Sequence, residues 1–282
     1  MQNYKKNKKL FEFYKKITAS KQEHLHFWNK IIKFISSPHK SNDKKMANNY
    51  FRFKQFTINQ ENCAMKVGTD GCLLGAWARI DNCSTILDVG CGTGLIAIMA
   101  AQRNSEATIT AIEIDTKAAE QAAENAKESP WNSRIEIINC DFLSHTSEQK
   151  YDTIISNPPY FVNSLKCPDA QRNKARHDDT LTSRALLEHA YTLLHSGGCL
   201  SIIIPTDLRD VWCNDAQLTG FGISRETYVH TRPDAPSKRV LIEFIKGDSE
   251  LTATAEHFTL ETSPGCFTDE ATALLKDFYM KL

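Results

Sequence analysis

Thr85-Ile86-Leu87-Asp88-Val89-Gly90-Cys91-Gly92-Thr93-Gly94-Leu95 decides the fold: an apolar, β-branched run breaks into a glycine-rich turn and passes directly into a helical stretch, Leu95 to Arg103. Outward from it the same alternation continues. Strands are expected at Thr108 to Ile114, Arg134 to Asn139, Tyr151 to Ser156 and Cys199 to Pro205. Helices are expected at Thr116 to Lys127 and Ser183 to His195. A helix over Asp207 to Thr219 follows, then strands near Ile223 to His230 and Val240 to Lys246. Strand and helix in alternation require right-handed crossovers, which predicts a doubly wound, mostly parallel α/β sheet with helices on both faces. Ligands of such sheets sit beyond the carboxyl ends of the strands, so the residues after each strand are the ones to read for chemistry.

Composition excludes several classes. The chain has 282 residues, 41% hydrophobic and 24% charged, which is globular usage with ample material for a core. No run approaches the roughly 18 to 20 uninterrupted apolar residues of a membrane span, so no membrane association is expected. The nine cysteines are odd in number and scattered, with no C-x-x-C pair and no H-E-x-x-H motif. They read as small apolar residues of a reducing compartment, and no metal site is expected. Formal net charge is zero, but residues 1–45 hold twelve Lys against Glu12, Glu23 and Asp43, a sum of +9, which leaves −9 for the remainder. This basic segment has no signal-peptide pattern, because Lys30 and Lys33 interrupt its best apolar run, Phe27 to Ile35. A cytoplasmic protein is expected. Two readings of the segment stand: a basic arm that tracks phosphate, or an upstream extension with the functional start at Met46, the second being preferred. The expected organisation is an extension over 1–45 and a catalytic domain over 46–282.

The glycine run is G-x-G-x-G rather than the dinucleotide pattern G-x-G-x-x-G, because Leu95 occupies the final position. Gly90, Gly92 and Gly94 permit a tight turn and let backbone amides at a helix start approach a ligand. Asp88 precedes them. The second strand ends in Glu113-Ile114-Asp115, where an acidic side chain can accept from both hydroxyls of a ribose, Glu113 being the first candidate. The third ends in Cys140-Asp141-Phe142, a carboxylate and an aromatic suited to the exocyclic amine and the flat face of a purine. Asp141 as a plain helix cap is the competing reading. Asp88, the glycines, Glu113 and Asp141 at the ends of three successive strands resemble the S-adenosyl-L-methionine pocket of the Rossmann-like class I methyltransferases. That resemblance implies an antiparallel C-terminal strand at the sheet's edge.

The fourth strand ends in Ser156-Asn157-Pro158-Pro159-Tyr160-Phe161. Two prolines remove two backbone donors and hold the chain extended, leaving carbonyls as the backbone polar groups. A planar NH2 group offers two donors, which the Asn157 side-chain oxygen and the Pro158 carbonyl can take together while Tyr160 stacks on the attached ring. An amine conjugated to a purine is a poor nucleophile. Two acceptors pulling on its hydrogens favour a pyramidal nitrogen and aim its lone pair at a methyl donor, so positioning and electrostatics supply the rate without a strong base.

The Asn157-Pro158-Pro159-Tyr160 motif with the glycine loop resembles the N6-adenine and N5-glutamine methyltransferases. More specific are Phe51-Arg52-Phe53-Lys54-Gln55-Phe56, Cys63 to Gly71, Leu73-Leu74-Gly75-Ala76-Trp77, Ser129-Pro130-Trp131 and Gln171-Arg172 with Ala175-Arg176. With these the chain is similar, from about Tyr50 to its end, to the bacterial tRNA1(Val) (adenine-37-N6)-methyltransferases. The resemblance implies a tRNA substrate with its target adenine in the single-stranded anticodon loop, where turning the base out costs little unstacking. It also implies that Lys66 to Gly71, including Thr69, walls the methionine end of the cofactor, with Asp70 a partner of the cofactor ammonium. An N-cap role for Asp70 competes with that one.

A body of −9 is a poor non-specific RNA binder, so local basic clusters must carry the contact. Candidates are Arg172, Lys174 and Arg176 after the catalytic loop and Arg232, Lys238 and Arg239 before the last strand, with Phe161 on the substrate side and Arg52 and Lys54 at the rim. Methylation of a glutamine amide, or of adenine in ribosomal RNA or DNA, remains the rival reading. A cofactor-binding RNA module without activity is a further one. The oligomeric state is not fixed by the sequence, with a monomer favoured.

Overall fold

A computed structural model describes residues 48–159 and 181–281, and from Asn49 onward these belong to one compact unit. The expected helix over Leu25 to Ile35 and the basic extension lie outside the described residues. An eight-stranded sheet forms the centre. Its core is β3 (Thr85–Val89), β4 (Thr108–Glu113), β5 (Ile135–Asn139), β6 (Tyr151–Ser156) and β7 (Leu194–Pro205), all parallel. β8 (Phe221–His230), β9 (Arg239–Lys246) and β10 (Ala255–Thr259) complete the order β10-β8-β9-β7-β6-β3-β4-β5.

One expectation needs correction. β9 is antiparallel to both β7 and β8, yet it lies inside the sheet between them, and the edge is taken by β10, which runs parallel to β8. The burial of β9 explains the placement: Val240 to Phe244 are all buried, as suits a strand covered on both faces. β10 carries exposed Glu256 and His257, as suits an edge.

The central strand β3 is buried throughout. Its side chains alternate, Ile86 packing with one apolar cluster and Leu87 and Val89 with the other. The first cluster holds α1 (Thr69–Trp77), α2 (Leu95–Arg103) and α6 (Asp269–Leu275), together with the hairpin β1 (Tyr50–Arg52) and β2 (Thr57–Asn59) and Ala122 of α3 (Thr116–Glu128). The second holds α4 (Ser183–Leu193) and α5 (Arg209–Thr219). A small hairpin, β11 (Glu261–Ser263) and β12 (Cys266–Phe267), precedes α6. Among the described residues no helix is long and apolar enough to cross a membrane.

Helices α1 and α2 pack side by side, and glycine makes this possible: a Cβ at Gly75 would stand 2.8 Å from the Met99 sulfur. The hairpin is fastened to the glycine loop by one buried side chain on α3. Asn125 Nδ2 donates to the carbonyls of Asn59 (2.8 Å) and Thr93 (2.9 Å), and its Oδ1 accepts from Asn59 N–H (2.9 Å). All three bonds disappear together on substitution by alanine, leaving buried backbone groups unpaired. Asn125→Ala is expected to lower the unfolding free energy by about 3 kcal/mol, read from a denaturant melt, and to weaken cofactor binding by freeing the loop.

Candidate active site

Every strand of the parallel core ends at the same edge, and the loops there build the site. Three glycines in left-handed backbone, Gly90 (φ 69°), Gly92 (φ 55°) and Gly94 (φ 79°), shape the turn after β3. Gly90 and Cys91 both donate their amides to the Ile112 carbonyl, at 2.8 and 3.0 Å, which ties the turn to the end of β4. Space is open above it, since a Cβ at Gly90 or Gly92 would meet nothing within 4 Å, whereas at Gly94 it would press on Ala122 at 3.3 Å. Gly90 and Gly92 thus leave a cradle, and Gly94 serves close packing.

Gly94 is the N-cap of α2 and has no side chain to cap with. Asp88 does so from the preceding strand, Oδ2 accepting from Ala97 N–H at 3.0 Å. The carboxyl is buried and its Oδ1 has no partner among the described residues. Burial pushes its pKa up to about 7, the Ala97 amide opposes that, and the Glu113 charge adds to it. An unpartnered carboxylate oxygen beside a glycine cradle at a helix start fits the ammonium of an amino-acid group, which would draw the pKa back down.

Glu113 also works within the protein. Its Oε2 accepts from Gly92 N–H at 2.8 Å and its Oε1 from Asp115 N–H at 2.9 Å. A carboxylate has about four acceptor positions, so two remain for a pair of hydroxyls. Cys63 lies close by, its thiol pushed up to about 11 by burial and by the charges of Glu113 and Asp115, so the segment leading to Lys66 passes over this end of the sheet. That segment is held by Gln60, whose Oε1 takes the Val67 amide at 2.8 Å.

Expectations for Phe142, Asp70 and Arg239 meet a different arrangement, whereas Asp141 follows its cap reading. Phe142 does not present a face to a ligand: it is 4% exposed and meets the His189 ring edge-on at 4.8 Å in the second cluster. The exposed apolar side chains at these strand ends are Ile114, at 67%, and Leu143. Asp141 caps the short 3-10 turn Phe142–Ser144, Oδ1 accepting from Leu143 N–H at 3.0 Å. Asp70 is not an N-cap, for Gly68 holds that position. Asp70 and Arg239, read from sequence as belonging to a cofactor and to RNA, pair with each other, Nε to Oδ2 at 2.7 Å. This ties the first turn of α1 to the start of β9. Lys66 and Thr69 are exposed just before and at the start of α1.

Ser156 is buried and donates from its Oγ to the Val89 carbonyl at 3.0 Å, so the ends of β6 and β3 are joined where the two candidate loops begin. Asn157 is half-buried and Pro158 buried immediately after. Tyr160, Phe161, Arg172, Lys174 and Arg176 lie outside the described residues. Arg232 and Lys238 are exposed in the loop between β8 and β9, at the same edge. Among the described residues no group of His, Cys, Asp or Glu could hold a metal ion.

A family model described as the methyltransferase small domain matches residues 73–211. A tRNA1(Val) (adenine(37)-N6)-methyltransferase of Bacteroides fragilis is 48% identical over 242 residues, covering 84% of this chain and all of the relative. The chain belongs to that family. A member from Trichodesmium erythraeum is 42% identical over 84% of the chain and its own full length, and one from Serratia proteamaculans 41% over 82% and 89%. Among solved structures, a predicted O-methyltransferase of Agrobacterium tumefaciens superimposes with a TM-score of 0.57 at 23% identity, covering 74% of this chain and 96% of its own, which shows the class I methyltransferase fold. Membership makes this chain a methyltransferase, and the family and fold imply use of S-adenosyl-L-methionine.

Asp88 supplies a prediction. Its carboxyl titrates near 4 when unfolded and near 7 when folded, so the folded state is favoured relative to the unfolded one below pH 4 and loses that advantage as pH rises through 7. The loss is on the order of 4 kcal/mol at full ionisation. Between pH 5 and pH 8, denaturant melts of the cofactor-free protein should show falling stability relative to Asp88→Asn, while Asp88→Asn binds cofactor more weakly.

Proposed function

We propose that this methyltransferase transfers the methyl of S-adenosyl-L-methionine to the exocyclic N6 of adenine 37, beside the anticodon of tRNA1(Val), and acts in the cytoplasm with residues 46–282 as its catalytic domain. The observation that carries the reading is the joining of Val89 and Ser156, which sets the carbonyl-rich Asn157-Pro158 turn directly beside the glycine cradle. Activity on tRNA is what the names of the relatives state, at 39 to 48% identity.

The cofactor, when bound, supplies an electrophilic methyl on a sulfonium. Asp88 Oδ1 would receive its ammonium, the cradle over Gly90 and Gly92 would admit its backbone, and the two remaining acceptor positions of Glu113 would take the ribose hydroxyls. Exposed Ile114 and Leu143 would offer apolar contact to its adenine, and Asp141 would accept from the ring's amine. Lys66, Thr69 and the Asp70–Arg239 pair would close the methionine end.

On the acceptor side, Asn157 Oδ1 and the Pro158 carbonyl take the two N6 hydrogens of the target base, and the Tyr160 ring stacks on it. These acceptors would hold the nitrogen lone pair toward the methyl that the cofactor would supply, and the proton given up by the methylated amine would leave to water. RNA is held by Arg172, Lys174 and Arg176, with Arg232 and Lys238 across the edge and Phe161 at the base. Arg239 serves through its pair with Asp70.

Two measurements test this. Asn157→Ala should lower methyl transfer to tRNA at least a hundredfold while cofactor affinity stays within about threefold, by isothermal titration. Retention of most of the rate would remove Asn157 from the chemistry. Charge reversal at Arg172 and Arg176 should weaken tRNA binding and reduce the slope of log affinity against log salt by about one for each phosphate that is no longer neutralised. Unchanged affinity would take both off the RNA surface.

A further inference from the structure

The carboxyl edge of the sheet carries an ordered feature that the pocket does not use. Tyr228 and His230 stand two residues apart on β8 and so share a face, and His257 on β10 is the register partner of Tyr228. Their rings form a ladder. Tyr228 and His257 stack with centroids 5.5 Å apart and planes at 24°, and His257 meets His230 at 5.2 Å and 37°. His257 is exposed, and Tyr228 and His230 are half-buried.

Two hydrogen bonds fix the ladder. His230 Nδ1 donates to the Ala235 carbonyl at 2.8 Å, and His230 Nε2 shares a hydrogen with His257 Nδ1 at 2.9 Å. The ring of His230 is thus oriented by the loop that carries Arg232 and Lys238. Helix α5 covers Tyr228 in part, the ring packing against the apolar cluster that holds Trp212 and Ala216. The helix begins at Arg209, whose guanidinium grips Glu226 through Nε (2.7 Å) and Nη2 (3.1 Å), and His230 is the last same-face residue of the strand. Of the carboxylates nearby, Glu256 bonds Thr227 on the opposite face, while Glu226 shares the ladder's face and holds both Arg209 and the Tyr228 hydroxyl. Asp234 is the acid of the neighbouring loop.

Ordered π-faces beside exposed cations are the two features by which proteins hold unpaired nucleotides: bases stack on the rings while cations track the phosphates. Position agrees with this. β8 lies three strands from β6 and β10 four, which at about 4.8 Å per strand puts the ladder roughly 15 to 20 Å from Asn157. That is too far for the base undergoing transfer and within reach of its neighbours in the same loop.

We infer that Tyr228, His230 and His257 form a base-stacking platform for unpaired nucleotides flanking the target adenine, an inference that rests on the RNA substrate proposed above. Stacking accounts for the exposure of the His257 ring, which Tyr228 and His230 back, and the Arg232 and Lys238 side chains supply charge for the backbone between platform and pocket.

The test is a titration of a fluorescein-labelled, unmodified tRNA1(Val) anticodon stem-loop with the full chain. His257→Ala and Tyr228→Ala should each weaken binding about fivefold to a hundredfold, the loss of one stacked base. His257→Phe should restore affinity to within about twofold, and the salt slope should stay unchanged in all three, because no phosphate-binding group is removed. Cofactor affinity at the wild-type value separates a weakened RNA surface from a damaged fold, and exposed His257 carries the test should Tyr228→Ala misfold. Wild-type affinity in His257→Ala overturns the platform and leaves the ladder to a protein partner. A wild-type chain that fails to bind the stem-loop while methylating another acceptor overturns the RNA reading itself, and the platform with it.

Discussion

The 2.8 Å hydrogen bond from Gly92 N–H to the Glu113 carboxylate is the contact on which the pocket depends. It forces the glycine loop to close against the end of the neighbouring strand rather than extend over the sheet. The Ile112 carbonyl, taking two amides of the same loop, fixes the angle. Both strands are parallel and fully registered up to this point, Val89 opposite Ile112, so the loop's position is set by the sheet itself. A charged side chain that is 9% exposed is costly to keep unless its oxygens are bonded, and the two backbone amides meet that need. Asp88, one strand over, has only one of its oxygens met among the described residues.

The segment ahead of the sheet is integral to the site. Asn125 joins the hairpin to the glycine loop, Gln60 holds the stretch that passes over Glu113, and the Asp70–Arg239 pair fastens the start of α1 to the loop side of β9. One ion pair at the surface thus links the start of α1 to the start of β9. Its 2.7 Å geometry is good, but both partners are about one-third exposed, so it is a positioning contact rather than a large source of stability.

Much of this was legible from residue pattern. The strands Thr85–Val89 and Tyr151–Ser156 and the helix Leu95–Arg103 fall where periodicity and the glycine punctuation put them, because each is largely buried and predominantly apolar. The acids at the strand ends follow from the general geometry of parallel sheets. What escaped the sequence depends on contacts between distant positions. Asn125 sits in an ordinary amphipathic helix, and only the fold brings Asn59 and Thr93 to it. Asp70 and Arg239 are 169 residues apart. The identity of the aromatic at Phe142 suggested a stacking face, but the 3-10 turn capped by Asp141 rotates that ring inward and exposes Leu143. The edge position of β10 was hidden because its short, polar run carries little β signal. The ladder of Tyr228, His230 and His257 likewise emerges only when two non-adjacent strands pair in parallel.

The most direct test of the account is nucleoside mass spectrometry on bulk tRNA that lacks N6-methyladenosine, incubated with the purified protein and S-adenosyl-L-methionine beside a parallel release-factor digest. New N6-methyladenosine, mapped to position 37 of one tRNA species, is the predicted result. Unchanged nucleosides together with a methylated glutamine peptide would contradict it, since the same carbonyl acceptors would then be holding a side-chain amide instead of an adenine.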